Sequence, residues 1–472
     1  MSVNHHSHHH HHILNRKELL GYAMGDLGGC MTFAVLGSFL TPYYTEVAGL
    51  SSGAVAMIYL VLKIWDAIND PMMGAMMDRE FAKKYHPGGK FRPWMKRSAP
   101  LLLISAFLMW TAPTYVNGAA KVLVAFVTYL LYEASYTMFN IPYGALLSAM
   151  SADDGERAKL SSARGIGSEI GKILPAVFFP FIIEATKDTP QLGYTLGISI
   201  CAVIGFIACM LSCKWTTEKQ IVHVTMDIKH ANAIKHPELK VVLKENRALI
   251  ALCLQGLFFC MAHYMEATLG LYMYRDVLGD IRYLSYSLAI TTPISFLFLA
   301  LAPKFCDRYG IEETVLACQL ITVALNIMLF VVMLLYKNAW LYMVLCGIAH
   351  GFASTTVMMQ WGMIGEAIDY NELITGERHE GSIYGIFNLS RRIGQAVGTS
   401  MSVALLSVIG YVPGAAHQTH DAIIGIKVLI DIIPAFLMLL CFISLKHIWN
   451  ITPAIRRQIE EAKDEEDEAE AA

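Results

Sequence analysis

The chain is 472 residues long, 55% of them hydrophobic and only 16% charged, with a mean hydropathy of +0.46; that leaves too little polar surface for a soluble globular protein of this size. The net charge of -3 is spread along the chain and gathers into no basic face, which removes support for nucleic-acid binding. The ten cysteines stand singly, without CxxC or metal-ligand spacing, and read as small hydrophobic residues.

Residues 1–18 form a cytoplasmic tail whose run from His5 to His12, interrupted by Ser7, reads as an expression tag or a native histidine-rich segment. Arg16 and Lys17 precede a first apolar span too long for the core of a cleavable signal peptide. About twelve stretches are long enough to cross the roughly 30 Å hydrocarbon layer. They fall at 19–40, 52–77, 99–116, 119–150, 160–184, 193–213, 247–274, 284–303, 313–336, 338–368, 381–411 and 421–447. No β-barrel alternation accompanies them, so helices, which satisfy their own backbone hydrogen bonds in lipid, are predicted throughout.

A hydrophilic linker at 214–246 separates two six-helix halves, 19–213 and 247–450, and an acidic tail follows at 451–472. From Glu460 on that tail lacks an apolar face and is predicted to be disordered. Most of the 36 Lys and Arg lie in the N-terminus, the even-to-odd loops and the C-terminus, which assigns both termini to the cytoplasm and the chain to the inner membrane. The halves echo each other: Asp78-Arg79 closes the second span and Asp307-Arg308 the eighth. Ion pairs at the cytoplasmic ends of equivalent helices suit the gates of a two-repeat transporter, although solvated loop charges have the same pattern.

Ionisable groups inside a span cost about 2.5–3.5 kcal/mol each on insertion scales, so each needs a partner or a function. The second span holds Lys63, Asp66, Asn69 and Asp70. Asp66 and Asp70 are one turn apart with Asn69 beside them, and two carboxylates so placed want a shared proton or a cation between them. Na+ held by Asp66 and Asp70 and simple protonation both fit. Alternatively Lys63 neutralises Asp66 across one turn, which leaves Asp70 unexplained. In the fourth span Glu133, Thr137 and Asn140 form one polar stripe, followed by Pro142.

The fifth span opens with Arg164-Gly-Ile-Gly167-Ser-Glu169-Ile-Gly-Lys172, in which Glu169 and Lys172 are spaced to pair and Arg164 has no local partner. The eleventh contains Arg391, Arg392 and Gln395; guanidinium forks suit a hydroxyl-rich or carboxylate-bearing solute, while Arg391 is equally well spaced to pair with Glu366 or Asp369. Asp26 in the first span fits a gate, a packing contact or a site residue. Nucleotide-binding and hydrolase motifs are absent from the sequence, and no enzyme activity is expected.

Trp65-Asp66-Ala-Ile-Asn69-Asp70-Pro71, Gly89-Lys90-Phe-Arg92-Pro93-Trp94, Tyr43-Tyr44-Thr45-Glu46-Val-Ala-Gly, Asn140-Ile-Pro142-Tyr-Gly144 and Asp369-Tyr-Asn-Glu372 occur in this order across both halves. In them the chain resembles the glycoside-pentoside-hexuronide:cation symporter family, which includes the melibiose permease. The resemblance implies an all-α major facilitator fold of twelve transmembrane helices in two six-helix bundles, with a central sugar site. It places Asp66, Asn69, Asp70 and Thr137 at the cation site, and Asn140, Arg164 and Arg392 near the sugar. Cys30 takes the place of a sugar-binding aspartate and Gly29 that of a lysine, which puts galactosides in doubt. Asp26, Glu133 and Gln395 complete the candidate substrate wall.

The reading that follows is symport of a sugar or glycoside with Na+ or H+, a glucuronide, hexuronide, xyloside or oligosaccharide being favoured over a galactoside. The transporter is expected to act as a monomer in the lipid bilayer, with no cofactor beyond the coupling cation. The competing class, found among distant relatives of that family, is transport of a lysolipid or other amphiphile.

Overall fold

The computed structural model describes residues 14–83, 88–151, 154–218, 244–376 and 380–471. The His-rich run and most of the linker lie outside the described residues, within which every regular element is helical. The helices are α1 (Arg16–Phe33), α2 (Leu36–Pro42), α3 (Ser52–Lys83), α4 (Arg92–Met109), α5 (Ala119–Met150), α6 (Asp154–Ala185) and α7 (Pro190–Trp215). After the linker come α8 (Arg247–Tyr272), α9 (Tyr283–Tyr309), α10 (Ile311–Leu335), α11 (Ala339–Thr375), α12 (Glu380–Val408), α13 (His420–Lys427), α14 (Ile433–Ile448) and α15 (Pro453–Ala471).

α1 starts where its sequence says it should: Asn15 Oδ1 accepts from the Glu18 amide at 2.8 Å, and Glu18 Oε2 accepts from the Asn15 amide at 3.2 Å, a reciprocal capping box. Three spans contain a π-helical turn: Tyr43–Val47 after α2, Met273–Val277 after α8 and Val428–Ile432 between α13 and α14. Such turns recur at functional sites because they break the regular backbone ladder.

Among the described residues ten helical runs are long and apolar enough to cross a bilayer. Of the twelve predicted spans, those on α4 and α12 are the more polar: α4 opens with Arg92, Lys96 and Arg97, and α12 carries Arg391, Arg392 and Gln395. Length does not limit α12, since its 29 residues extend about 44 Å at 1.5 Å per residue. Met57, Ile64, Leu123, Ile166, Ile207 and Phe296 are each more than half exposed, as side chains facing lipid are.

The chain forms two compact units, one of Met1–Val35, Ile68–Pro175 and Thr189–Ile234, the other of Leu36–Ala67, Ala176–Asp188 and Lys235–Ala472. The boundary cuts through α3 and α6, and in the second unit α2 packs against α8. In the first unit α1 packs on α7, and α4 on α5 and α7, around Tyr22, Met95, Phe139, Tyr143 and Cys209. In the second, α8 packs on α12 and α14, α9 on α11, and α10 on α11 and α14. The close contacts need glycine: a Cβ at Gly171 would lie 2.6 Å from Leu27 O, and one at Gly398 2.6 Å from Met261 O.

The Gly89-Lys90-Phe-Arg92 motif is explained by Glu218, whose carboxylate accepts from the amides of Lys90, Phe91 and Arg92 at 3.1, 2.8 and 3.4 Å and so caps α4. Burial pushes the Glu218 carboxyl up from its ordinary value while the three amide donors pull it back. Gly89 has φ +102°, and a Cβ there would collide with that carboxylate. Glu218→Ala is expected to destabilise the protein by about 1–2 kcal/mol, a lost helix cap, read as a lower unfolding midpoint in detergent. An unchanged midpoint would contradict the capping role.

One expectation is corrected. The acidic end from Glu460 is helical through Ala471, not disordered. Its Glu, Lys and Ala residues are strong helix formers, and α15 is tied down at its start by Ile459, which is buried, and by Arg456 Nη2 on Glu366 Oε2 at 3.2 Å.

Candidate functional site

The first unit gathers polar groups from three apolar helices. Arg164 on α6 reaches Asp26 on α1, Nε to Oδ2 at 3.6 Å, and its guanidinium carbon lies 5.1 Å from the centre of the Tyr143 ring. Arg164 therefore has a partner after all, and Asp26 is its counter-charge. Tyr143 is fixed in turn by stacking on Tyr22 at 4.6 Å, the two hydroxyls each donating to the other residue's carbonyl oxygen. Cys30 Sγ lies 3.6 Å from Ser168 Oγ, one turn along α6 from Arg164. On α5, Glu133 and Thr137 are buried, at 3% and 5% exposure, and Asn140 is half-buried. Glu169 and Lys172 are both exposed and form no ion pair with each other among the described residues, so the predicted local pair is not made.

In the second unit, Lys63 Nζ lies 3.7 Å from Asp66 Oδ2, so the one-turn ion pair weighed from the sequence is formed. Arg392 on α12 donates from Nη1 to the Asp66 carbonyl oxygen at 3.1 Å. Gln395 is half-buried three residues further along the same face of α12. The Arg391 guanidinium stands 6.0 Å from the centre of the Phe387 ring, and Glu366, one of its two candidate partners, is held by Arg456. Of the remaining cation-site candidates, Asn69 is buried in the first unit with Thr137, and the Asp70 side chain lies outside the described residues.

The gate candidates divide the same way. The side chains of Asp78 and Arg79 lie outside the described residues. Asp307 and Arg308 are exposed at the end of α9, with the Arg308 guanidinium 5.3 Å over the Tyr309 ring, and among the described residues no ion pair joins them. An extensive charge network sits elsewhere in the second unit, at two π turns. Arg275 grips Glu46 bidentately, Nη1 to Oε2 at 2.8 Å and Nη2 to Oε1 at 2.6 Å, and also donates to Asp276 Oδ2 at 3.1 Å and to the Tyr411 hydroxyl oxygen at 2.8 Å. The Tyr411 hydroxyl is 2.9 Å from Asp276 Oδ2.

The sequence reading missed this network, though a signal was present: Tyr44-Thr-Glu46-Val-Ala-Gly49 and Tyr274-Arg275-Asp276-Val-Leu-Gly279 are the same pattern in the two halves. Charge-assisted hydrogen bonds of this kind are worth about 1.5–3 kcal/mol. A double-mutant cycle of Arg275→Met and Glu46→Gln is expected to return about 1–2 kcal/mol of coupling in unfolding in detergent; additive single effects would show that the pair is only apposed. Also missed was a cavity of about 270 Å³ bordered by Glu266, Asn326 and Asp431, polar residues of three further apolar spans.

Many long apolar helices, with ionisable side chains drawn together inside them, define a multi-pass membrane transporter. The chain belongs to the MFS/sugar transport protein family, whose family model matches residues 21–450. It is 29% identical to an uncharacterized symporter, YjmB, of Bacillus subtilis (strain 168), over 94% of this chain and 95% of that one. It is 28% identical to a glucuronide carrier protein homolog of Escherichia coli (strain K12), over 91% and 92% of the two chains. Among solved structures, a mutant of the nucleoside transporter NupG superposes with a TM-score of 0.67 at 15% identity, covering 92% of this chain and all of its own. The major facilitator fold and membership of the glycoside-pentoside-hexuronide branch agree with the sequence motifs.

Proposed function

We propose that the chain is a cation-coupled symporter that carries a sugar or glycoside by alternating access, as a monomer in the inner membrane with both termini cytoplasmic. The observation that supports this best is the contact from Arg392 to the Asp66 carbonyl at 3.1 Å, beside the Lys63–Asp66 pair at 3.7 Å. It joins a helix expected to hold the solute to the helix expected to hold the cation, so that occupancy of one alters the backbone of the other. In this reading Asp66, Asn69, Asp70 and Thr137 take the coupling ion, Na+ or H+. Asp26, Cys30, Glu133, Asn140, Arg164, Arg392 and Gln395 face the solute, and Asp78, Arg79, Asp307 and Arg308 act at the cytoplasmic gate. An acidic sugar such as a hexuronide is the first candidate, in keeping with a glucuronide carrier homolog at 28% identity and two arginines on α12.

The deciding experiment is uptake into proteoliposomes of labelled glycosides against lysolipids, with and without a Na+ or pH gradient. Gradient-driven accumulation of a glycoside is expected. Uptake of the lysolipid alone would overturn the reading in favour of an amphiphile carrier.

A further inference from the structure

The cavity of the second unit is bordered by Glu266 on α8, Asn326 on α10, Tyr342 and His350 on α11, Tyr274 of one π turn and Asp431 of another. Asp431 is 2% exposed. Its Oδ1 accepts from the Tyr342 hydroxyl at 3.2 Å, while Oδ2 is buried with no hydrogen-bond partner among the described residues, and the residue borders the cavity. A carboxylate oxygen left this way in an apolar span is expensive as an anion, and a second carboxylate, Glu266, borders the same small space.

The other titratable or charged groups that face this pair from the packed elements are His263 on α8, Cys346 and His350 on α11, Tyr274, and Lys427 on α13. Lys427 stands one turn before Asp431, yet its Nζ donates to the Met333 carbonyl at 3.3 Å and makes no ion pair with Asp431 among the described residues. The rings of His263 and His350 lie 6.1 Å apart. Two carboxyl groups bordering one small apolar cavity are relieved of their mutual repulsion by a bound proton.

We propose that Asp431, with Glu266 as its neighbour, is a proton-binding site additional to the α3 cation site, through which a pH gradient also drives transport. One proton is taken up at the cavity on one side of the membrane and released on the other in each cycle, and the carboxyl pair ends as it began. Asp431 lies on a π turn, so its protonation acts on backbone already out of regular helical register. Tyr342 donates to Oδ1 and leaves Oδ2 to carry the proton.

The inference rests on the symporter reading and adds a proton site to it, so the experiment separates the two. Counterflow of a labelled glycoside in proteoliposomes at equal pH and with equal Na+ on both sides tests transport alone; its absence from the wild type for every glycoside offered would remove the symporter reading itself. With counterflow present, an inward pH gradient at equal Na+ is expected to drive accumulation, and adding the glycoside to the unbuffered suspension is expected to alkalinise it. Asp431→Asn is expected to keep measurable counterflow while losing at least about tenfold in pH-driven accumulation, together with the alkalinisation. Should that variant fail to fold, Glu266→Gln and Tyr342→Phe are expected to displace the pH profile of uptake. Wild-type accumulation that a pH gradient leaves unchanged would overturn the proposal. So would unaltered pH-driven uptake in the carboxylate variants, or its loss in His350→Gln instead of in them.

Discussion

Asp70→Asn abolishes accumulation of a labelled glycoside against its gradient while solute binding persists: that is the largest effect expected of any single substitution in the chain. Asparagine keeps the shape of the side chain and removes its charge, so a site that holds a cation between the carboxylates of Asp66 and Asp70 loses half of its anionic complement. Removing one partner of a buried charge pair costs about 3–5 kcal/mol, which corresponds to a loss in cation affinity of more than about a hundredfold. The Lys63–Asp66 pair sharpens the expectation, because Asp66 is already engaged at 3.7 Å and the second carboxylate carries more of the burden of holding a cation. The measurement is the ratio of internal to external solute in proteoliposomes under a Na+ or a pH gradient, with solute binding to the detergent-solubilised protein as the companion assay. A ratio equal to that of the wild type would sink the α3 cation site.

The spans were legible because hydropathy is a local property of the chain. The stretch predicted at 119–150 is α5, Ala119–Met150, and the others differ from their helices mainly at the ends. The π turns were not legible, since nothing in Val428-Leu-Ile-Asp431-Ile432 breaks the helical pattern or marks a change of backbone register. Single expensive residues, such as Asp26 and Arg164, could be marked from sequence, but not their partnership across two helices at 3.6 Å. Glu266, Asn326 and Asp431 show the same limit more fully: each is one polar residue in an apolar span, and only the fold sets them around one cavity. The pairing of Glu169 with Lys172 illustrates the opposite error, in which correct helical spacing yields no ion pair among the described residues.

The second large effect concerns the charge of the solute. A glucuronide is expected to compete against a labelled substrate better than its uncharged glucoside counterpart, and Arg392→Gln is expected to reduce that preference by about 10–100-fold, the value of one or two charge-assisted hydrogen bonds. The expectation rests on the two arginines of α12, because the first unit supplies little net positive charge. In the first unit Asp26 offsets Arg164 at 3.6 Å, so that wall is less cationic than the sequence suggests, and Glu133 adds a buried carboxyl. In the second, Arg392 donates to the Asp66 carbonyl oxygen at 3.1 Å, and the Arg391 guanidinium stands 6.0 Å from the centre of the Phe387 ring. A planar fork of donors in a low-dielectric setting holds a carboxylate bidentately, which glutamine, with one amide, does not reproduce. The assay is inhibition of labelled uptake by the two sugars in wild type and in Arg392→Gln, with thermal unfolding of both proteins confirming that the variant is folded. A wild type that prefers the neutral sugar, or a variant that keeps the wild-type preference, would show that the arginines of α12 serve structure and that the solute is uncharged.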